Sequence, residues 1–296
     1  MTPQDIDAVC GLVYDLCGIA LDSSKDYLIE SRLADLVKRE GCANYVEFAV
    51  RARNSHGDLK RDVINAITTR ETLFFRDKSP FEALMFKAIP ELVDEKSKHA
   101  YDRRIRIWSA ACSTGQEPYS IAMTLMETLP DYRSWNISIL ATDISDDALA
   151  RASRGLYPPM ETSRGLEAKY LNKYFIPQEG GHRIKDEVRS LVSFEKVNLL
   201  QSFAHLGRFD IIFCRNAIIY FNAEDRKRTY VNLANQLTDN GYFFVGSSES
   251  LIDLGPRFQP QHHCKSVFYQ PNRQLPDFIL ANKVGSTTAP TMASVR

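Results

Sequence analysis

Apolar residues recur at three- and four-residue spacing through residues 1–70, and then the period changes. Ile6, Val9, Cys10, Val13, Leu16 and Cys17 form one stripe of an amphipathic helix that Gly18 ends. Leu28, Ile29, Leu33, Leu36 and Val37 mark a second helix, with Gly41 just beyond its end. Tyr45, Phe48, Ala49 and Ala52 give a third, and Leu59, Val63, Ile64 and Ile67 a fourth. Residues 1–70 therefore read as a small all-helical domain. Its second helix points Arg32, Lys38 and Arg39 outward, while Arg51, Arg53, Lys60 and Arg61 cluster later. Charges of this kind ordinarily make a solvated helix face.

Beyond Arg76 one more helix (Phe81, Leu84, Met85, Ala88, Ile89, Leu92, Val93) leads into strands that alternate with helices. Strands are expected over residues 104–111, 135–143, 193–198, 209–214, 241–246 and 266–269. Helices are expected over 119–129, 146–153 and 225–237. Phe209 to Cys214 is a near-continuous apolar run, as a strand buried on both faces requires. This alternation specifies an α/β fold with a doubly wound, mostly parallel sheet over residues 81–273. The tail from 274 to 296 is poor in large apolar residues and is expected to be disordered.

Composition narrows the picture only a little. Among 296 residues, 37 basic side chains balance 37 acidic ones, which gives no hint of nucleic-acid or membrane attraction. No apolar run approaches the roughly 20 residues of a bilayer span. The acidic start, Met1 to Asp7, lacks a signal-peptide pattern. Six cysteines lie scattered with no C-x-x-C pair, arguing for reduced thiols and against a metal site. A cytoplasmic protein is expected.

In doubly wound sheets, ligands sit at the carboxyl ends of the strands near the topological switch. At the first such end Ser113, Thr114 and Gly115 turn into a helix with Glu117 at its entrance. A single glycine there gives poor support for phosphates, and the carboxylate would repel them; Glu117 suits a cation or sugar hydroxyls. At the second end Asp143 stands where acids bind ribose hydroxyls. The other reading is an N-cap for the next helix, a position for which Asp146 is better suited. Asn198 and Leu199, at the third end, offer an amide and backbone groups to an adenine edge. Arg215 and Asn216 follow the buried fourth strand, with Tyr220 close behind. These polar groups at four successive strand ends describe an adenosine ligand with a positive charge and no phosphates, which is S-adenosylmethionine.

The segment from Thr68 to Asp77 crowds hydroxyls, two arginines, two carboxylates and the Phe74–Phe75 pair between the two domains. It is either a linker whose phenylalanines fill a seam or a loop that holds a ligand.

With these residues assembled, the chain resembles the CheR-type chemotaxis receptor methyltransferases. The matching segments are TTRETLFFRD (68–77), RIWSAACSTGQEPYSIA (106–122), ATDIS (141–145), VNLL (197–200) and FDIIFCRNAIIYF (209–221). The resemblance implies a class I S-adenosylmethionine-dependent methyltransferase domain at 81–273 and a small all-helical N-terminal domain at 1–70. Residues 71–80 then form a connecting segment that contributes to the cofactor site. Carried over, Thr72, Arg76, Glu117, Asp143, Asn198, Leu199, Arg215 and Asn216 surround S-adenosylmethionine. Arg76 and Tyr220 lie nearest the methyl-transfer point. The implied acceptor is a glutamate on the cytoplasmic helical domain of methyl-accepting chemotaxis receptors, and the product is S-adenosylhomocysteine. No metal and no nucleic acid enter this reading, and a monomer is expected.

Glutamate, with a pKa near 4.3, is already ionised at neutral pH, so the reaction requires no general base. Positioning two reactants is worth up to ~7–11 kcal/mol. Arg76 suits a bidentate hold on the acceptor's or the cofactor's carboxylate. Tyr220 either orients the acceptor or is a core tyrosine below the site. The sequence departs from the family's pattern at three places. Arg70 stands where asparagine is common, and Asp35 interrupts the basic face of the second helix, which in the family docks on receptors. Residues 172–196 resemble the small antiparallel β insertion with which some members grip a receptor's C-terminal pentapeptide. Its connection, Gln178 to His182, is short for that use, so binding of this peptide is not expected. Two other readings stay open: a non-catalytic adaptor that binds S-adenosylmethionine, and a methyltransferase acting on another substrate.

Overall fold

The computed structural model describes residues 1–98 and 103–272; the expected disordered tail, 274–296, lies outside the described residues. The four expected N-terminal helices form over Pro3–Cys17, Asp26–Arg39, Tyr45–Asn54 and Asp58–Ile67. Their stripes meet in a core that includes Val9, Leu12, Leu33, Phe48, Ala52 and Val63. Thr2 and Asp5 form a capping box at the first helix. Gly18 closes it at φ 74°, a conformation that only glycine adopts cheaply. A Cβ on Gly18 would also lie 2.6 Å from Leu200, so the helix end packs directly on the sheet domain.

One expectation for this domain is corrected. Arg32 does not point outward: its Nη1 donates to the carbonyls of Ile67 at 2.9 Å and Thr68 at 3.0 Å. The C-terminal carbonyls of a helix lack intrahelical donors and attract cations, which accounts for the inward turn. Arg39, Arg51, Arg53 and Arg61 all pair with acids of the same domain.

Residues 79–97 form one helix with a π-turn at Leu84–Ala88. Pro90 follows directly and has no N–H to donate to the regular ladder, and the widened turn accommodates that loss. The main sheet then runs β1 (Arg104–Ala110), β2 (Asn136–Asp143), β6 (Val192–Lys196), β7 (Phe209–Cys214), β8 (Leu237–Val245), β9 (Phe258–His263) and β10 (Ser266–Pro271). Its spatial order is β6-β2-β1-β7-β8-β10-β9. The first five strands in that order are parallel, whereas β10 is antiparallel to both β8 and β9. The order reverses between β1 and β7, and a crevice opens at that switch.

Alternation along the strands divides the core. Ile105 and Ile107 face the layer holding residues 79–97 and the helix Gln116–Thr128, while Trp108 and Ala110 face the layer of the helix Ala223–Asn235. Phe213 stacks on Phe244 at 4.4 Å. No described helix is long and apolar enough to cross a membrane.

One further expectation is corrected in part. The small antiparallel sheet lies within 172–196 for two of its three strands but begins earlier, at Leu156. It consists of β3 (Leu156–Tyr157), β5 (Gly181–Ile184) and β4 (Phe175–Gln178), in the order β3-β5-β4. Val192–Lys196 instead pairs with β2 as the edge of the main sheet. The strand β9 was not anticipated, because Gln259, Pro260, Gln261, His262 and His263 carry little strand propensity; pairing with β10 alone stabilises it.

Candidate active site

The crevice at the switch is an open cleft, with ≈ 990 Å³ of space among its lining atoms when the open solvent is included. Thr72, Arg76, Glu117, Asp143, Asn198, Leu199, Arg215, Asn216 and Tyr220 all line it. Strand ends supply most of these, the segment after the fourth helix supplies Thr72 and Arg76, and the first helix adds Cys17 with Ile19 beyond it.

At the end of β1 the backbone passes through positive φ at Ala111 and Ser113. The Ser113 N–H donates to Asp143 Oδ2 at 2.8 Å and the Cys112 N–H to the Thr142 carbonyl at 2.8 Å. These amides therefore do not cradle phosphate. Asp143 also accepts the Ser145 N–H at 2.9 Å, and Ser145, not Asp146, is the N-cap of the helix Asp146–Arg154. Asp146 pairs instead with Lys196. Burial raises the Asp143 pKa, partly offset by the amide N–H groups of Ser145, Ser113 and Ile144.

Glu117 lies in the first turn of the helix Gln116–Thr128. Its Oε1 accepts the Ser109 hydroxyl at 2.7 Å and its Oε2 faces Arg215 Nη1 at 3.1 Å. Burial raises its pKa, and Arg215 and Ser109 draw it back down. Arg215 has a side chain only 1% exposed and also binds Asp77 at 2.7 Å and the Arg76 carbonyl at 3.0 Å. Its charge is thus taken up within the protein, and it acts as a staple between β7, the first-turn acid and the segment from Thr68 to Asp77.

That segment is not a plain linker. Phe74 is fully buried, edge-on to Tyr157 at 5.0 Å and to Phe175 at 5.5 Å. Phe75 packs on Tyr170 at 4.5 Å and donates its N–H to Ser120 Oγ at 3.0 Å. Phe75, Asp77 and Lys78 hold positive φ, each at a cost of about 1–3 kcal/mol that these anchors must offset. Arg76 donates only a long bond, 3.4 Å, to the Glu71 carbonyl, and has no acidic partner among the described residues. Arg70 pairs with Asp147 at 3.2 Å and caps the Asn65 carbonyl at 2.8 Å, just outside the cleft.

Asn198 lines the cleft as expected, and its amide also has partners within the protein. Its Nδ2 donates to the Leu16 carbonyl at 3.1 Å, which holds the first helix, and its Oδ1 accepts the Leu200 N–H at 3.0 Å within its own loop. An adenine edge would meet backbone and apolar groups here, with Leu199 buried beside it. The Tyr220 side chain is 43% exposed at the mouth, which is not the position of a core tyrosine. Its carbonyl accepts the Ala20 N–H at 2.8 Å and ties the mouth to the helical domain.

Sequence reading named Ser113 only as part of a turn, and missed Cys17 and Ile19 as lining residues, Asp77 as a partner of Arg215, and the loop of Gly246 and Glu249 beyond β8. The strand-end rule applied to a fifth parallel strand would have found that loop. Two side-chain oxygens, Ser113 Oγ and Asn216 Oδ1, are buried without a partner in the described structure, and both residues line the cleft. Such atoms normally meet a ligand or water. Acidic acceptors, unfilled oxygens and apolar walls fit a ligand with hydroxyls, a positive charge and a flat base. Cys112 is unsuited to nucleophilic work, because burial and the nearby carboxylates hold its thiol well above its ordinary pKa.

Comparison with known proteins agrees with this chemistry. The family model for the SAM binding domain of CheR methyltransferase matches residues 70–266, and that for the all-alpha domain of CheR methyltransferase matches residues 4–68. The chain is 40% identical over 258 residues to chemotaxis protein methyltransferase 1 of Pseudomonas aeruginosa, covering 86% of this chain and 93% of that protein. It is 39% identical over 281 residues to chemotaxis protein methyltransferase 1 of Vibrio cholerae, covering 91% and 98%. The match to the chemotaxis protein methyltransferase of Borreliella burgdorferi is 36% over 257 residues, covering 85% and 89%.

Proposed function

Because the chain belongs to the CheR methyltransferase family, we propose that it methylates glutamate side chains of chemotaxis receptors, giving methyl esters and S-adenosylhomocysteine. It is an S-adenosylmethionine-dependent methyltransferase. Bound in the cleft, the cofactor supplies an electrophilic methyl on its sulfonium. Asp143 accepts hydroxyls of its ribose, and the apolar walls at Ile144, Val197 and Leu199 take its base. Arg215 and Glu117 keep the floor of the site rigid.

One observation carries the acceptor assignment. Of the two arginines lining the cleft, Arg215 is neutralised by Asp77 and Glu117, whereas Arg76 has no acidic partner among the described residues. A guanidinium without an acidic partner, beside an exposed tyrosine, suits an incoming carboxylate, which it can grip through two parallel hydrogen bonds. A glutamate is already a nucleophile at neutral pH, and the cleft accordingly needs no general base. Its rate enhancement comes from orientation. An adaptor that merely bound the cofactor would need neither Arg76 nor an open mouth beside Tyr220.

The protein in this reading works in the cytoplasm as a monomer, meets the helical cytoplasmic domain of its receptor, and does so without a tethering peptide. The test is methyl transfer from labelled cofactor to receptor-containing membranes, scored as base-labile ester. Arg76→Ala is expected to lower transfer by about 100-fold or more, in line with losing a positioning group. Tyr220→Phe is expected to lower it less. Full transfer by Arg76→Ala would remove that residue from the mechanism.

A further inference from the structure

Glu249 stands in the loop after β8, outside the lining of the cleft. Its Oε2 accepts the N–H of Asn216 at 2.7 Å and the N–H of Gly246 at 2.7 Å, and its Oε1 accepts the Tyr230 hydroxyl at 3.0 Å. One carboxylate therefore joins the loops beyond β7 and β8 to the helix Ala223–Asn235. The fit has no slack. A Cβ at position 246 would lie 2.3 Å from Glu249 Oε2 and 2.8 Å from Asn216 Nδ2.

Asn216 holds φ 57°, a left-handed conformation that asparagine adopts more readily than other non-glycine residues, and a charge-assisted bond to its N–H helps to hold it there. This backbone geometry places the side chain. Asn216 Oδ1 is buried with no partner in the described structure, in a residue that lines the cleft. In the sheet, β7 lies two strands from β2, roughly 10 Å away at a strand spacing of about 4.8 Å. With Asp143 at the ribose, Asn216 stands across β1 from it, on the side open to the amino-acid end, where an ammonium group supplies N–H donors.

We infer that Glu249 is a positioning residue that presents Asn216 Oδ1 to the ammonium of S-adenosylmethionine. It sets affinity for the amino-acid half of the cofactor without touching it. The inference rests on the reading of the cleft as the S-adenosylmethionine site, and the experiment separates the two. Wild-type protein, Glu249→Gln and Tyr230→Phe are titrated calorimetrically with S-adenosylhomocysteine and with 5′-methylthioadenosine, which lacks the ammonium and carboxylate. Thermal unfolding of each is followed in parallel. Glutamine keeps the volume but sets an NH₂ group against donors that now meet a carboxylate.

Glu249→Gln is expected to lose about tenfold or more in affinity for S-adenosylhomocysteine. Its affinity for 5′-methylthioadenosine should stay within about twofold. Tyr230→Phe keeps both Oε2 bonds and should show the same selectivity with a smaller loss, which covers the case of a Gln variant that does not fold. Equal losses for the two ligands, or none for either, would overturn the positioning role. Failure of the wild-type protein to bind either ligand would overturn the cofactor reading, and this inference with it.

Discussion

At the scale of residues, the site depends on where charges are spent. Arg215 is buried and meets three acceptors, while Arg76, on the segment that Arg215 staples, makes one long bond to the Glu71 carbonyl and has no acidic partner among the described residues. Arg215→Met is expected to destabilise the protein by about 3–5 kcal/mol in denaturant unfolding, because it leaves buried Glu117 without its cation. The pH dependence has a definite sign. Burial raises the folded-state pKa of Glu117, and without Arg215 little draws it back. A raised carboxyl binds its proton more tightly when folded, so stability falls as pH rises from the unfolded value through the raised one. The variant's deficit should thus be smallest in acid and full above that interval. The placement of Asp143 and Glu117 at the cleft was legible in the sequence, because strand ends announce themselves. The use of Asn198 was not, since nothing in a linear pattern reveals that its amide meets the carbonyl of Leu16.

Among the elements, hydrophobic period located the four N-terminal helices and the central strands β1 and β7, because each buries one or two clear faces. It failed where pairing, not pattern, decides. The polar strand β9 exists through β10, and β3, of two residues, exists through β5. The expected main-sheet strand over 193–198 forms as Val192–Lys196 beside β2, so the insertion, expected to reach 196, ends before it. Within the insertion, β4 and β5 are joined by a turn of only Glu179 and Gly180, and Pro177 removes one N–H from the edge strand β4. Proline and a short strand both blunt an edge against strand addition. Calorimetry with a receptor's C-terminal pentapeptide is therefore expected to show no tight binding; a clear saturable isotherm would refute this.

For the whole molecule, the cleft belongs to neither domain alone. The sheet supplies its floor, the strapped segment from Thr68 to Asp77 supplies Thr72 and Arg76, and the helical domain supplies Cys17 and Ile19. Tyr14 bonds to Asp225 and Asn222, and Ala20 to the Tyr220 carbonyl, so the first helix is fastened to the mouth of the site. The sequence showed two domains and a suspicious joint between them, yet how closely the joint and the first helix wrap the cofactor's place depends on contacts across nearly 200 residues or more, such as Tyr14 with Asp225 at a separation of 211. The central claim is that this cleft brings the cofactor's methyl to a glutamate carboxylate. Mass-spectrometric mapping of receptor peptides, after incubation with the full-length protein and S-adenosylmethionine, tests it most directly. The expected result is the gain of one methyl on glutamate residues of the cytoplasmic helices, lost on mild base treatment. A base-stable methyl on any other residue type, or an unmodified receptor, would contradict it.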